Sequence, residues 1–293
     1  MIMENLARLY DIIDDNRLVF RANASESDVK RIFETWKENG NTPDISIVDM
    51  SDCDITELRQ PDSRSPRATG SLISEIFENL VEFIAPRKLE TLGSSYFSCC
   101  KNLSSVKFDS SSNSLTKIEE KAFLYCDSLV EIALPESLKE IGDGAFKGCD
   151  SLEFLELGAN IEALGEDSFE ASIKMTLLDL SRCVRIKELK IRVSSNQVYL
   201  PVNLETLECS GNIEDLWVPP TLKRINYKTF GKTNIWCFSR HLTSLNQIEG
   251  VCYLCLPHSL AGRYEKIKDT ERCDVKIFDF GEDGSKKQDY FWI

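Results

Sequence analysis

The stretch NYKTFGKTN, residues 226–234, is where residue types and spacing first suggest chemistry. Gly231-Lys232-Thr233 matches the second half of a phosphate-binding loop, G-x-x-x-x-G-K-[ST]. In such a loop, backbone amides, the lysine and the hydroxyl hold a nucleotide's phosphates and metal. The first glycine of the motif falls at 226, where this chain has Asn226. The loop also needs a helix after the threonine, so that its N-terminus meets the anion. The residues after Thr233 are NIWCFSRHL, aromatic and strand-like, so no nucleotide site is expected. Cys252-Tyr-Leu-Cys255 has the spacing of a metal or redox pair. Further ligands are scarce, with only His258 and Cys237 at hand, and strand positions three apart face opposite sides. Both cysteines are therefore assigned to the core. The chain has 2 histidines, His241 and His258, and contains neither G-x-S-x-G nor H-E-x-x-H. The expectation is a non-enzyme with no catalytic residue, metal or cofactor.

Composition agrees with a binding role. Hydrophobic content of 42% and charged content of 28% are those of a folded protein. The net charge of −13 is unevenly spread, with about −16 on residues 1–215 and about +3 on 216–293. An acidic body repels phosphate backbones and anionic lipid, which argues against nucleic acid and membrane surfaces as partners. The N-terminus, MIMENLARLYDIIDD, lacks the basic and apolar regions of a secretory signal. No run approaches the roughly 20 apolar residues that cross a bilayer. A cytoplasmic monomer is expected. The 11 cysteines are odd in number and recur singly, which suggests reduced, buried thiols.

Candidate sites depend on the elements that carry them, and here those elements repeat. Phe123, Cys126, Leu129, Ile132 and Leu134 return as Phe146, Cys149, Leu152, Leu155 and Leu157, each 23 positions later. Phe169, Leu178 and Leu180 continue the series, and Phe97, Cys100, Leu103 and Val106 precede it. VDMSDCDITEL (48–58) reads as a degenerate first unit, with Val48, Met50, Cys53, Ile55 and Leu58 in apolar slots. Further on the unit shortens, and Leu200, Pro201, Leu204 and Leu207 recur 18 later as Val218, Pro219, Leu222 and Ile225. A period in the twenties built on apolar-x-apolar is that of a leucine-rich solenoid, whose coils stack because none buries its apolar face alone. In each unit "xxIxLP" predicts a short strand, "SLKEIG" a second extended piece and "DGAFKGC" a tight corner. The cysteine slot suits a small apolar group that still donates weakly to backbone.

This pattern resembles the BspA-like leucine-rich repeat family, whose units read roughly F-x-x-C-x-x-L-x-x-I-x-L-P-x-x-L-x-x-I. The match is close over 80–180 and weaker over 45–79 and 181–269, where LCLPHSLAGRYEKIKD (254–269) is similar to that family's closing unit. The resemblance implies no shared catalytic residues. It does imply an alternative function, a microbial or protist surface antigen or adhesin at the cell surface. The expected fold is an α/β or mainly-β repeat solenoid, an arc of short parallel strands with an N-terminal helical cap. Its parts are a cap at 1–44, the repeats at 45–270 and a terminal cap or tail at 271–293, which ends in DYFWI. In the cap, SESDVKRIFETWKENG (25–40) predicts a helix with Ser25 and Asp28 as capping box, Gly40 as terminator and Val29, Ile32, Phe33 and Trp36 on one face. RQPDSRSPRATG (59–70) predicts a surface loop with a Ser-Pro step.

Stacked strands set outward residues in columns about 4.8 Å apart. Before the central aliphatic stand Glu82, Ser105, Glu131, Phe154 and Leu177; after it stand Ile84, Lys107, Ala133, Glu156 and Asp179. Phe154 beside Leu177, rimmed by Glu131, Glu156 and Asp179 with Lys107 near, has the make-up of an interface hot spot. The leading expectation is an interaction scaffold whose concave face binds a protein partner with a basic surface.

Overall fold

The computed structural model describes residues 6–14, 16–40, 42–60, 70–109, 114–239 and 241–242, with the backbone alone of 230, 248–257 and 273–278. Each repeat lays down one strand on one face and a second on another. On the first face Arg17–Phe20, Ile47–Asp49, Glu82–Ile84, Ser105–Lys107 and Glu131–Ile132 run parallel. On the second, Glu57–Leu58, Thr91–Leu92, Lys117–Ile118, Glu140–Ile141 and Ala163–Leu164 do the same. A third sheet starts at Phe154–Glu156 and continues through Leu177–Asp179, Ser195–Tyr199 and Ile213–Val218. The long strand Arg224–Cys237 pairs with Thr206–Ser210 through its first half and with Ile213–Val218 through its second, so it joins the two faces. The fold is a repeat solenoid.

The period of 23 is the length of one coil, and its apolar slots point inward. Val48, Phe83, Val106, Ile132, Leu155 and Leu178 are all buried, as are the five residues of the degenerate first unit. Phe97, Phe123, Phe146 and Phe169 form a stack with centroids 5.4, 5.1 and 6.0 Å apart. Each of these rings sits in a corner that the backbone turns with left-handed residues, such as Lys121 and Tyr125 around Phe123 and Gly144 and Gly148 around Phe146. The corners also bond coil to coil. The amides of Phe97, Phe123 and Phe146 donate to the carbonyls of Ala122, Ala145 and Ser168, each at 2.8 Å. The cysteine slot behaves as its size and polarity demand. Cys126 Sγ donates to the carbonyl of Phe97 at 3.1 Å, and Ser172, in the same slot two coils on, donates to that of Phe146 at 3.0 Å.

The N-terminal cap contains the expected helix. Glu26–Asn39 starts at a Ser25–Asp28 capping box and ends at Gly40, whose φ is 61°. Such a box stabilises a helix by about 1 kcal/mol. Val29, Ile32, Phe33 and Trp36 are its buried face. Phe33 meets Phe20 and Phe77 edge-on at 5.8 and 5.2 Å, which seals the end of the core. The cap also holds a hairpin that the helix pattern does not announce. Tyr10–Ile13 pairs antiparallel with Arg17–Phe20, and the latter begins the parallel sheet. The Ser-Pro stretch within 61–69, residues 258–269 of the closing unit, His258 and the DYFWI tail lie outside the described residues. The backbone of Ile248–Pro257 and Cys273–Phe278 extends the parallel sheet, so Cys252 and Cys255 lie in a strand.

Candidate protein-binding face

Because each central aliphatic points inward, its two neighbours point outward. Glu82 is in register with Ser105, Ser105 with Glu131, and Ile84 with Lys107. Beyond them Phe154 is in register with Leu177, and Glu156 with Asp179. Between Glu131–Ile132 and Phe154–Glu156 the ladder is interrupted, one sheet ending and the other beginning. A groove of about 540 Å³ lies over that seam, lined among others by Lys107, Glu131, Phe154, Glu156 and Arg182. It makes one continuous face of the two sheets, the side expected to be concave in such a solenoid.

All six residues anticipated for this face stand on it, in different states. Phe154 is 56% exposed, a large value for an aromatic that pairs in a sheet. Leu177 is half-buried, and with Asp179 it lies beyond Phe154, outside the groove. Lys107 is turned back onto Glu82, with Nζ to Oε2 at 2.9 Å. Glu156 accepts from Arg182 at 2.9 Å, and Arg182 also reaches Glu136 at 2.8 Å. These two carboxylates raise the pKa of the guanidinium, the hydrogen bond to Glu156 foremost. Arg182 is a member of the face that strand columns do not reveal, since it sits in a turn. A signal was present all the same. Glu136, Ala159 and Arg182 occupy one slot in successive coils, and a small residue between opposite charges lets the ends meet.

The columns continue past Asp179. In register with it stand Tyr199, then Trp217, then Trp236. Tyr199 and Trp217 stack at 5.6 Å and 17°, Trp217 and Trp236 at 4.9 Å and 9°. In the other column Gln197, Asp215 and Asn234 follow Leu177. Asp215 Oδ1 accepts from Asn234 Nδ2 at 3.0 Å and from Trp236 Nε1 at 2.7 Å. Burial, then the neighbouring Asp179 and Asp215, raise the pKa of the Tyr199 hydroxyl. The spacings of 18 and 19 between these aromatics could have disclosed the column.

The chemical motifs resolve into structure. Gly231-Lys232-Thr233 lies inside the strand Arg224–Cys237. Thr233 is buried there, its Oγ1 2.8 Å from the Tyr227 hydroxyl and 3.2 Å from Thr229 Oγ1. A hydroxyl held in this way presents nothing to a phosphate. Among the described residues no cluster of three His, Cys, Asp or Glu could hold a metal ion.

Comparison with known proteins places the repeats. Residues 51–176 match the BspA type leucine rich repeat region in 6 copies. Among curated protein sequences, none matches the chain. The leucine-rich repeat protein of T. pallidum is similar in structure, at TM-score 0.41 and 16% identity over 92% of this chain and 98% of that one. A leucine-rich repeat protein from Bacteroides ovatus gives 0.36 and 15% over 82% and 75%. The pneumococcal vaccine antigen PcpA gives 0.34 and 15% over 81% and 80%. This chain is a repeat solenoid, and its residues 51–176 match the BspA type leucine rich repeat region.

Proposed function

We propose that this protein is a non-catalytic interaction scaffold whose strand-lined face binds a protein partner through basic side chains. The observation that carries this reading is an imbalance of charge on that face. Arg17 is tied to Asp49 at 2.5 Å, Lys107 to Glu82 at 2.9 Å and Arg182 to Glu156 at 2.9 Å. Among the described residues, Glu131, Asp179 and Asp215 form no such pair with a cation. Acids left over beside an exposed Phe154 favour a partner that brings cations and an apolar anchor.

Six buried free thiols, Cys53, Cys100, Cys126, Cys149, Cys183 and Cys209, are in keeping with a reducing, cytoplasmic setting. No helix among the described residues is long and apolar enough to cross a membrane. We take the protein as a monomer, repelled by its net charge of −13 from nucleic acid and anionic lipid.

Charge reversal tests the reading. Proteins retained from native extract by the immobilised chain should elute as salt rises, and Glu131→Lys with Asp179→Lys should retain fewer of them. Retention that ignores both salt and the double substitution would refute it.

A further inference from the structure

We propose that Arg182 is the seam groove's own stand-in for its ligand, and that the two carboxylates it bridges, Glu136 and Glu156, are taken over by an arginine on an extended segment of the partner. The inference rests on the reading of the strand-lined face as a partner site, and it names the residue that holds the partner's place in the free protein.

Its basis is the lining of the groove. Among the described residues that lining has three carboxylates, Glu131, Glu136 and Glu156, and two cations, Lys107 and Arg182. Lys107 is bonded at 2.9 Å to Glu82, outside the groove. Arg182 is bonded within it. Its Nη1 donates to Glu156 Oε1 at 2.9 Å and its Nη2 to Glu136 Oε1 at 2.8 Å. The two acids come from different coils, and small residues bring both within reach of one guanidinium. Arg182 crosses Ala159, which shares its slot, and the Glu136 carboxylate lies over Gly158, with Oε2 2.7 Å from where a Cβ would stand. The pair thus displays what it selects, a planar fork with two donors.

Nothing buries this bridge. Arg182, Glu136 and Glu156 are each half exposed or more. Exposed ion pairs add little to stability, because water screens them and both side chains must be held still. A partner's guanidinium that remakes the same two hydrogen bonds therefore displaces Arg182 at small cost, and Arg182 moves into solvent. Lysine is a poorer replacement, since its ammonium is a hydrated point charge without the fork. The shape of the segment follows from strand geometry. Phe154 and Glu156 point outward two residues apart on one strand, about 6.6 Å. Alternate residues of an extended segment are spaced alike, so an apolar residue two places from the arginine reaches Phe154 while the arginine reaches Glu156.

Three fluorescent peptides test this by anisotropy, with Leu-Gly-Arg, Leu-Gly-Lys or Leu-Gly-citrulline set in a Gly-Ser chain. Arg182→Ala should tighten the arginine peptide by about threefold, in keeping with the strength of an exposed competing pair. Lys107→Ala removes the same unit of charge without opening Glu136 or Glu156, and should change that binding by less than about twofold. The lysine peptide should gain less from Arg182→Ala than the arginine peptide, and the citrulline peptide nothing. Glu136→Gln with Glu156→Gln, added to Arg182→Ala, should cancel the gain. Arg182→Gln takes the place of Arg182→Ala if the latter shifts the unfolding midpoint. An arginine peptide unmoved or weakened by loss of Arg182, or equal gains from Arg182→Ala and Lys107→Ala, would overturn the proposal. So would binding of none of the three peptides to either form. If loss of Arg182 brings no gain while Phe154→Asp still releases the partner, the arginine site falls and the scaffold reading stands. The opposite result would leave the arginine site and remove the Phe154 site.

Discussion

Cys149 Sγ donates to the carbonyl of Phe123 at 3.2 Å, one coil back along the solenoid. The same contact links Cys126 to Phe97, and Ser172 makes it to Phe146 with a hydroxyl. Burial pushes the Cys149 thiol up to about 12, so near neutrality it remains a protonated donor. The recurrent cysteine is thus a fully buried packing residue with one weak bond to make. Cys149→Ser should change stability by no more than about 1 kcal/mol, since it exchanges a weak donor for a stronger one. Cys149→Val should lose about 1–3 kcal/mol by overpacking. Urea unfolding midpoints of the two variants check both.

Glycines separate two kinds of demand. At Gly40 the backbone is left-handed, φ 61°, with no heavy atom within 4 Å of where a Cβ would stand. Gly40→Ala should therefore lose only the conformational penalty, about 1 kcal/mol. At Gly142 a Cβ would lie 2.5 Å from the backbone nitrogen of Glu120 in the preceding coil. That atom belongs to the stack itself and cannot swing aside. Gly142→Ala should be the more destabilising of the two, by at least about 2 kcal/mol, as thermal unfolding of both variants would show.

Acid should act on the corner where Lys147 meets Glu170 and Asp167. The hydrogen bond from Lys147 holds the Glu170 carboxyl below its ordinary value of 4.5. Its contribution to stability is therefore present above that value and lost as pH falls through the lowered one. Asp167 runs the other way. Burial, with Glu170 beside it, raises its pKa above 3.8, so its charge opposes folding near neutrality and acid relieves that opposition. In melting curves taken from about pH 6 to about pH 3, Glu170→Gln should flatten the loss of stability and Asp167→Asn should steepen it. Identical slopes in all three proteins would contradict the assignment.

What could be read in advance was whatever repeats. Phe, Cys and Leu at fixed offsets specify coil length, inward slots and the two outward columns, because each coil must match the next. The capping box and the apolar face of Glu26–Asn39 were equally plain, being local signals. The hairpin Tyr10–Ile13 with Arg17–Phe20 was not, since one short pair has no second copy to betray it. Nor was the seam between Glu131–Ile132 and Phe154–Glu156, which is a gap in backbone bonding beneath an unbroken side-chain pattern. The stack of Tyr199, Trp217 and Trp236 was obscured for a third reason. The unit changes there from 23 residues to 18, and columns extrapolated at constant period run off the strands.

The central claim, that a partner docks on the strand-lined face at Phe154, is tested most directly by comparing two exposed apolar residues. Phe154 is 56% exposed on that face, and Ile173 is 73% exposed in a turn away from the strands. Both changes to aspartate should leave unfolding midpoints within about 0.5 kcal/mol of the unmodified protein. The measurement is the set of proteins each form retains from native extract. The account predicts that Ile173→Asp retains what the unmodified chain retains and that Phe154→Asp does not. Equal retention by all three, or unfolding of Phe154→Asp, would contradict it.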